Sequence, residues 1–283
     1  MVDMKKPDSF ILVVVLLLSV SFSVAWTGLD KERNGDESTV AIPSFKVDPF
    51  WPKPLPNDWL IGQVAGVATD SKDHVWIVHR PGSLGEDEYA PAEEPANGVP
   101  YIPAPPVIEF TAEGDVVQAW GGPGEGFEWP LNPHGIFIDH KGNVWIGGSG
   151  ANDHQVLKFR PDGTFLLQIG QAGATGGSNN TELLGRPAEI DVDPATNEVY
   201  IADGYQNRRI IVFDANTGEY LRHWGAYGKK PEDAPQDVYD AETPPSEQFR
   251  NPLHAVRISH DGLVYVCDRK NDRIQVFQKD GKF

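Results

Sequence analysis

The sequence is short of cysteine, of basic residues and of long helical patterns. Cys267 is the one cysteine in 283 residues, so no disulfide can form within the chain. Because Cys267 lies inside a strand pattern, we expect an inert, buried thiol rather than a nucleophile. Lys and Arg number 24 against 41 Asp and Glu, which gives a formal net charge of −17. This excess of negative charge disfavours nucleic acid and anionic membrane surfaces as partners.

Phosphate-loop motifs are also missing. None of the Gly-rich connectors ends in Gly-Lys followed by Ser or Thr, so their glycines are read as turn residues. The 29 Gly and 24 Pro fall between short apolar runs, which favours many tight turns over disorder. With 40% hydrophobic residues, the chain can bury a large core.

The N-terminal segment differs from the rest of the chain. Lys5 and Lys6 precede an apolar run over residues 10–24, and small residues up to Ala25 fit a cleavage site before Trp26. We therefore expect residues 1–25 to be a signal peptide and the protein to be secreted or periplasmic. An uncleaved anchor is the alternative, although the run is short for a bilayer span of roughly 20 residues.

Composition divides the remainder into a lead-in and one domain. Residues 26–60 are polar and rich in Pro, as expected of a tether and lead-in, and residues 61–283 carry the repeats described next. An acidic, Pro-rich insertion over residues 81–106 interrupts the first repeat, either as a lid or as a solvated loop.

One phrase occurs four times, and it predicts the fold. An apolar stretch, a polar turn and a strand with Trp or Tyr recur as AGVATDSKDHVWIV, HGIFIDHKGNVWIG, AEIDVDPATNEVYIA and HAVRISHDGLVYVC. Each copy leads to a strand ending in Phe, and three copies add a further strand. This pattern predicts an all-β protein, a β-propeller of four-stranded antiparallel blades. The fourth copy stops at Phe283, so we expect a propeller incomplete at its C-terminus.

Aligning the copies on their turns exposes one variable slot. It holds Ala65, His134, Ala188 and His254. The end of the second strand shares an edge with this slot in an antiparallel pair, which places Arg80, Tyr205 and Arg269 at the same end of the propeller. The histidines either cap loops or form a metal site whose third ligand is His79, a carboxylate or a residue beyond Phe283.

Several other polar residues are predicted to be solvent-exposed or to pair with a neighbouring strand. His74, His140 and His260 lie in turns at the opposite edge, where we expect solvent exposure. Asp203 and Asp268 end their second strands, and Arg209 and Arg273 open the third. These pairs are predicted to tie neighbouring strands together. Tyr205 is a candidate base, since a nearby metal or guanidinium can lower the pKa of a phenol so that it serves as a base.

These motifs resemble NHL repeats, and the combination of positions resembles peptidyl-α-hydroxyglycine α-amidating lyase. The matching stretches are AGVATDSKDHVWIVHRP, NPHGIFIDHKGNVWI, ADGYQNRRIIVFD and NPLHAVRISHDGLVYVCDRKNDRIQVF. The resemblance implies a six-bladed propeller, of which about four blades are present, and a carbinolamide-cleaving zinc enzyme that releases glyoxylate.

The resemblance also implies roles for individual residues. His134 and His254 correspond to two of three zinc ligands, the third belonging to a later blade that this chain lacks. Arg80 corresponds to the catalytic arginine and Tyr205 to the catalytic base. The backbone carbonyls of Val67 and Ile136 correspond to ligands of a structural calcium.

Three functions follow from these observations. The first is the zinc-dependent lyase, a monomer when complete, acting on a peptide or small-molecule substrate. The second is a noncatalytic exported NHL propeller that serves as a binding module. The third is a calcium-dependent lactonase, which would require Glu, Asn and Asp where the variable slot holds Ala and His.

Overall fold

The computed structural model describes residues 43–85, 88 and 101–283, and within them it contains four antiparallel sheets arranged as propeller blades. The first blade contains strands β2 (Gln63–Thr69), β3 (Val75–Arg80), β5 (Val107–Phe110) and β6 (Val116–Trp120). A short parallel pair, β1 (Trp59–Leu60) and β4 (Ile102–Pro103), packs through Trp59 against apolar residues of this blade. The second blade contains β7 (Pro133–Ile138), β8 (Val144–Gly148), β9 (Gln155–Phe159) and β10 (Phe165–Gly170).

The third blade repeats the same order, and the fourth is shorter. The third contains β11 (Glu189–Asp193), β12 (Glu198–Asp203), β13 (Arg209–Asp214) and β14 (Tyr220–Trp224). The fourth contains β15 (Ala255–Ile258), β16 (Val264–Asp268) and β17 (Arg273–Phe277), with no strand over residues 278–283. The predicted all-β propeller with four blades is confirmed.

The recurring turn has a direct physical cause. The Asp70 carboxylate accepts backbone N–H groups of its own turn, and its other oxygen accepts the Trp76 indole N–H at 3.1 Å. Asp139 makes the equivalent bond to Trp145 at 3.0 Å. An Asp that satisfies the turn and also holds an aromatic residue on the following strand explains why this spacing recurs.

The hydrophobic core lies between neighbouring blades. The first strands β2, β7, β11 and β15 contact one another in sequence, so they are the inner strands. One apolar cluster joins blades one and two through Trp76 and Phe159, the next joins blades two and three, and the third joins blades three and four. Each fully buried Val, Ile or Phe contributes about 1.5–3 kcal/mol relative to exposure. Because these buried side chains hold neighbouring blades together, their packing fixes how far apart the ends of the inner strands lie.

Buried ion pairs hold the loops at those ends. The Asp203 carboxylate accepts Nε of Arg209 at 2.9 Å, and both side chains are fully buried. Asp268 and Arg273 pair in the same way at 2.8 Å. Both predicted strand ties are present.

Several expectations concern residues outside the described ranges. The proposed signal peptide, residues 1–25, and most of the lead-in lie there, as do residues 86–87 and 89–100 of the 81–106 insertion. In the part of the chain that the structure describes, no helix has the length and hydrophobicity needed to span a bilayer.

Candidate functional site

Four blades place polar side chains at one end of the inner strands. Arg80 ends β3 opposite Gln63, the first residue of β2. His134 is the second residue of β7, and His254 immediately precedes β15. Tyr205 lies two residues after the end of β12. The antiparallel argument from sequence therefore placed all four at the correct end.

Tyr205 lies between the two histidines. Its hydroxyl is 3.0 Å from Nε2 of His134 and 3.1 Å from Nε2 of His254. The two imidazole rings are 5.1 Å apart between centroids. We call His134, Tyr205 and His254 the His/Tyr cluster. Two imidazole nitrogens thus converge on one oxygen from separate blades.

The tautomer of His134 is fixed by a backbone contact. Its Nδ1–H donates to the carbonyl of Ala188 at 2.9 Å, since a carbonyl can only accept. In neutral His134 the lone pair is therefore on Nε2, where it accepts the Tyr205 hydroxyl proton. Tyr205 has one proton, so Nε2 of His254 contacts the phenol oxygen as a donor in this arrangement.

Burial favours the neutral form of both imidazoles. The pKa of His134 is lowered mainly by burial and further by the charges of Arg80 and Arg269, although its bond to Ala188 opposes this. Burial, then the neighbouring His134 and Arg269, lower the pKa of His254 to about 4. Neutral imidazoles are the form that binds metal ions.

Three guanidinium groups surround the His/Tyr cluster, and we call Arg80, Arg186 and Arg269 the flanking arginines. Nε of Arg80 donates to the carbonyl of Pro133 at 2.9 Å. The guanidinium carbons of Arg186 and Arg269 are 5.6 and 5.9 Å from the Tyr205 ring centre. None of the three forms an ion pair with a carboxylate of the described residues. Their positive charge is available to an anion.

His79 is not a third metal ligand. It is completely buried, Nδ1 accepts the Gly62 N–H at 3.2 Å, and Nε2 contacts the carbonyl of Pro105 at 2.9 Å. Within the described ranges, no Asp, Glu, Cys or further His joins His134 and His254 in a group of three potential ligand atoms. In the described ranges, His134 and His254 are therefore the two potential ligand residues at this end of the inner strands.

A different group of three lies at the opposite end of the first blade. Potential ligand atoms of Asp70, His74 and Glu109 lie within 4.8 Å of one another. His74 Nδ1 bonds Glu109 at 2.6 Å, and Gln118 donates to the other Glu109 oxygen at 2.5 Å. This group is compatible with a metal, but each carboxylate already has protein donors. The expectation that His74 is solvent-exposed was wrong, whereas His140 and His260 are exposed.

The two predicted calcium positions lie on neighbouring inner strands. Val67 on β2 and Ile136 on β7 line one cavity of about 330 Å³ together with Arg257. Arg257 pairs with Glu189, so its charge is partly balanced. The calcium site stays a prediction.

Cys267 is half-buried rather than fully buried. Burial raises the pKa of its thiol, which favours the protonated and unreactive form. The inert role expected from the sequence fits this environment.

The fold and the site define a β-propeller with an imidazole, phenol and guanidinium cluster at one end of its inner strands. No protein-family model matches the chain. It is 30% identical over 227 residues to peptidyl-glycine alpha-amidating monooxygenase B of Xenopus laevis, covering 79% of this chain and 24% of that protein. It is 32% identical over 203 residues to human NHL repeat-containing protein 3, covering 67% and 51%. It is 28% identical over 243 residues to peptidyl-alpha-hydroxyglycine alpha-amidating lyase 1 of Drosophila melanogaster, covering 80% and 39%.

The homologues are thus amidating monooxygenases, amidating lyases and NHL repeat proteins. The chain spans between 21% and 25% of the length of the amidating monooxygenases that it matches. Among solved structures, a streptogramin B lyase aligns with TM-score 0.47 and 11% identity, over 78% of this chain and 53% of that chain. A gluconolactonase from Xanthomonas campestris aligns with TM-score 0.47 and 13% identity, over 77% and 60%.

Proposed function

We propose that this chain carries the site of a zinc-dependent lyase that cleaves a peptidyl-α-hydroxyglycine into a peptide amide and glyoxylate. The observation that carries the proposal is the convergence of His134 and His254 on the Tyr205 hydroxyl, surrounded by unpaired guanidinium groups. Homology to proteins named as amidating lyases supports the same reaction class.

The two histidines fit a zinc ion. Burial lowers the pKa of both imidazoles, which favours their metal-binding neutral form, and the Ala188 carbonyl orients His134 as second-layer partners of zinc ligands do. His134 already carries its proton on Nδ1, and His254 would have to carry its proton there too. Both would then hold the metal through Nε2, with a third ligand from outside the described residues. When bound, zinc supplies a Lewis acid that polarises the substrate hydroxyl.

Tyr205 is the residue placed to move the proton. For this step Tyr205 acts as the phenolate, having given its own proton to solvent. The substrate hydroxyl loses its proton to this phenolate, the oxygen electron pair forms the aldehyde of glyoxylate, and the C–N bonding pair passes to nitrogen. A proton returned to that nitrogen completes the amide, so the reaction needs no oxidant or added water. The position of Tyr205 beside both imidazoles brings its oxygen close to the atom that it must deprotonate.

Arg80 is proposed to bind the substrate carboxylate. Its Nε bond to Pro133 fixes the guanidinium next to His134, while its terminal nitrogens keep N–H groups for an anion. A guanidinium can bind a carboxylate with two parallel hydrogen bonds. Carboxylate binding at Arg80 would orient the α-carbon toward the His/Tyr cluster.

Zinc analysis and a glyoxylate-release assay test this function. We expect bound zinc and turnover in the natural protein, loss of both in His134→Ala, and a kcat lowered about 10²- to 10⁴-fold in Tyr205→Phe. His140→Ala is the matched control, because His140 is exposed at the opposite end. Absence of zinc, or equal activity in His134→Ala, would overturn the proposal.

A noncatalytic binding module is the second candidate. It is kept because human NHL repeat-containing protein 3, which is 32% identical to this chain, has a name that states a repeat and no reaction. This candidate predicts that the protein turns over no α-hydroxyglycine substrate even when zinc is bound. The same assay therefore separates the two functions.

We further propose that residues 1–25 direct export to the periplasm or the exterior and that the complete propeller is a monomer. The net charge of −17 supports a small-molecule or peptide substrate over nucleic acid. N-terminal sequencing of the exported protein and its mass in solution test these points.

A further inference from the structure

Arg186 has a backbone conformation that its sequence position disfavours. Its φ is +60°, in the left-handed region that residues other than Gly rarely adopt. It also precedes Pro187, which restricts its backbone further. Strained residues of this kind persist where surrounding contacts hold them, and they cluster at functional sites. The contacts that hold Arg186 in this conformation therefore indicate its role.

Two sets of hydrogen bonds hold Arg186 between blades. Its Nε and Nη2 both donate to the carbonyl of Ser149, which follows β8 in the second blade, at 2.9 and 2.6 Å. Its own carbonyl accepts the backbone N–H of Tyr205 in the third blade at 3.1 Å. One residue thus links the second blade to the backbone of Tyr205.

The guanidinium of Arg186 also contacts the Tyr205 side chain. It lies 5.6 Å from the ring centre, within the range of a cation–π contact. Arg269 lies at a similar 5.9 Å, but no hydrogen bond joins it to Tyr205 or to Ser149 in the described part of the chain. Arg186 therefore contacts the Tyr205 ring through its charge and is also held by hydrogen bonds to Ser149 and to the Tyr205 backbone. Arg269 contacts the ring through its charge alone.

We infer that Arg186 is a positioning residue that holds the Tyr205 hydroxyl between the Nε2 atoms of His134 and His254. The backbone bond fixes the start of the Tyr205 side chain, and the guanidinium fixes the ring. Misplacing a catalytic group by about 1 Å can cost about 100-fold in rate. The catalytic consequence rests on the proposed lyase function, but the positioning itself does not.

Imidazole nitrogen chemical shifts test the positioning without turnover. Long-range ¹H–¹⁵N spectra of the full chain, treated with a chelator, report hydrogen bonding at Nε2 of His134 and His254. Tyr205→Phe removes the hydroxyl and defines the reference shift. Arg186→Gly keeps the backbone carbonyl and tolerates positive φ, and it should move both Nε2 signals toward that reference. Arg269→Met should leave them near the natural values.

Two results would overturn the inference. One is an Arg186→Gly protein whose Nε2 signals equal those of the natural chain while Tyr205→Phe shifts them. The other is an equal displacement in Arg269→Met, which would show that charge alone matters. If Arg186→Gly does not fold, as judged by near-ultraviolet circular dichroism, Arg186→Asn is used, because Asn also tolerates this backbone region.

Glyoxylate release supplies the second readout. Arg186→Gly should lower kcat about 10- to 100-fold, leave KM within about threefold, and regain activity with added ethylguanidine. A raised KM with unchanged kcat would assign Arg186 to substrate binding and overturn the inference. If the natural protein releases no glyoxylate, the proposed lyase function fails, and the spectra still decide the role of Arg186.

Discussion

Removing one partner of the buried ion pair between Asp203 and Arg209 should lower the free energy of unfolding by an unusually large amount. Both side chains are fully buried. Arg209 donates to Asp203 and to the carbonyls of Ser178, Asn180 and Leu183. Without Arg209, the carboxylate keeps only the Gly185 N–H at 2.7 Å and the Asn207 amide at 2.8 Å. Arg209→Met should therefore lower the free energy of unfolding by about 3–5 kcal/mol, because it leaves a buried charge uncompensated.

Urea unfolding followed by tryptophan fluorescence measures this cost. The double variant Asp203→Asn with Arg209→Met removes both charges and should recover at least about 1 kcal/mol of the loss. Lys53→Met is the control, since its pair with Asp115 is more than half exposed and should cost less than about 1 kcal/mol. A loss below about 1 kcal/mol in Arg209→Met, or additive losses in the double variant, would refute the argument.

Three further predictions concern pH and close packing. Because the pKa of His254 is about 4, its zinc affinity should fall less than about threefold between pH 7 and pH 5.5. An imidazole with an ordinary pKa would lose about eightfold in affinity over the same range. Competition with a coloured chelator measures the affinity at each pH. Burial raises the pKa of Asp191, so its ionised form destabilises the folded chain as pH rises through the folded pKa. Asp191→Asn should raise the urea midpoint at pH 7, and the gain should shrink toward about pH 4. Gly204→Ala should abolish zinc binding in dialysed protein, because its Cβ would overlap the Leu253 carbonyl oxygen.

The repeated phrase predicted most of the fold because each copy contains its own strand pair and turn. The antiparallel register then brought His134, Tyr205 and His254 to one end, since strand direction alone decides which residues share an edge. The contact between Tyr205 and both imidazoles could not be predicted, because it depends on the spacing between blades.

Residues in loops and on mixed strand faces escaped prediction for physical reasons. Arg186 lies in a connector without periodicity, and nothing in the local sequence indicates its left-handed backbone. Glu109 lies on a fully buried strand, and its partner His74 is 35 positions away in the chain. His79 looked available as a ligand because the sequence does not reveal that Gly62 and Pro105 already bond both of its nitrogens.

Because the core lies between the blades, the geometry of the site depends on the spacing between them. Arg80, His134, Tyr205 and His254 each belong to a different blade, and apolar interfaces hold the blades together. A small rotation of one blade would separate the Nε2 atoms while leaving every strand ladder intact. Mild denaturant or pressure should therefore release a bound metal before the circular dichroism of the sheets changes, and a variant at a blade interface would act on the chemistry from a distance.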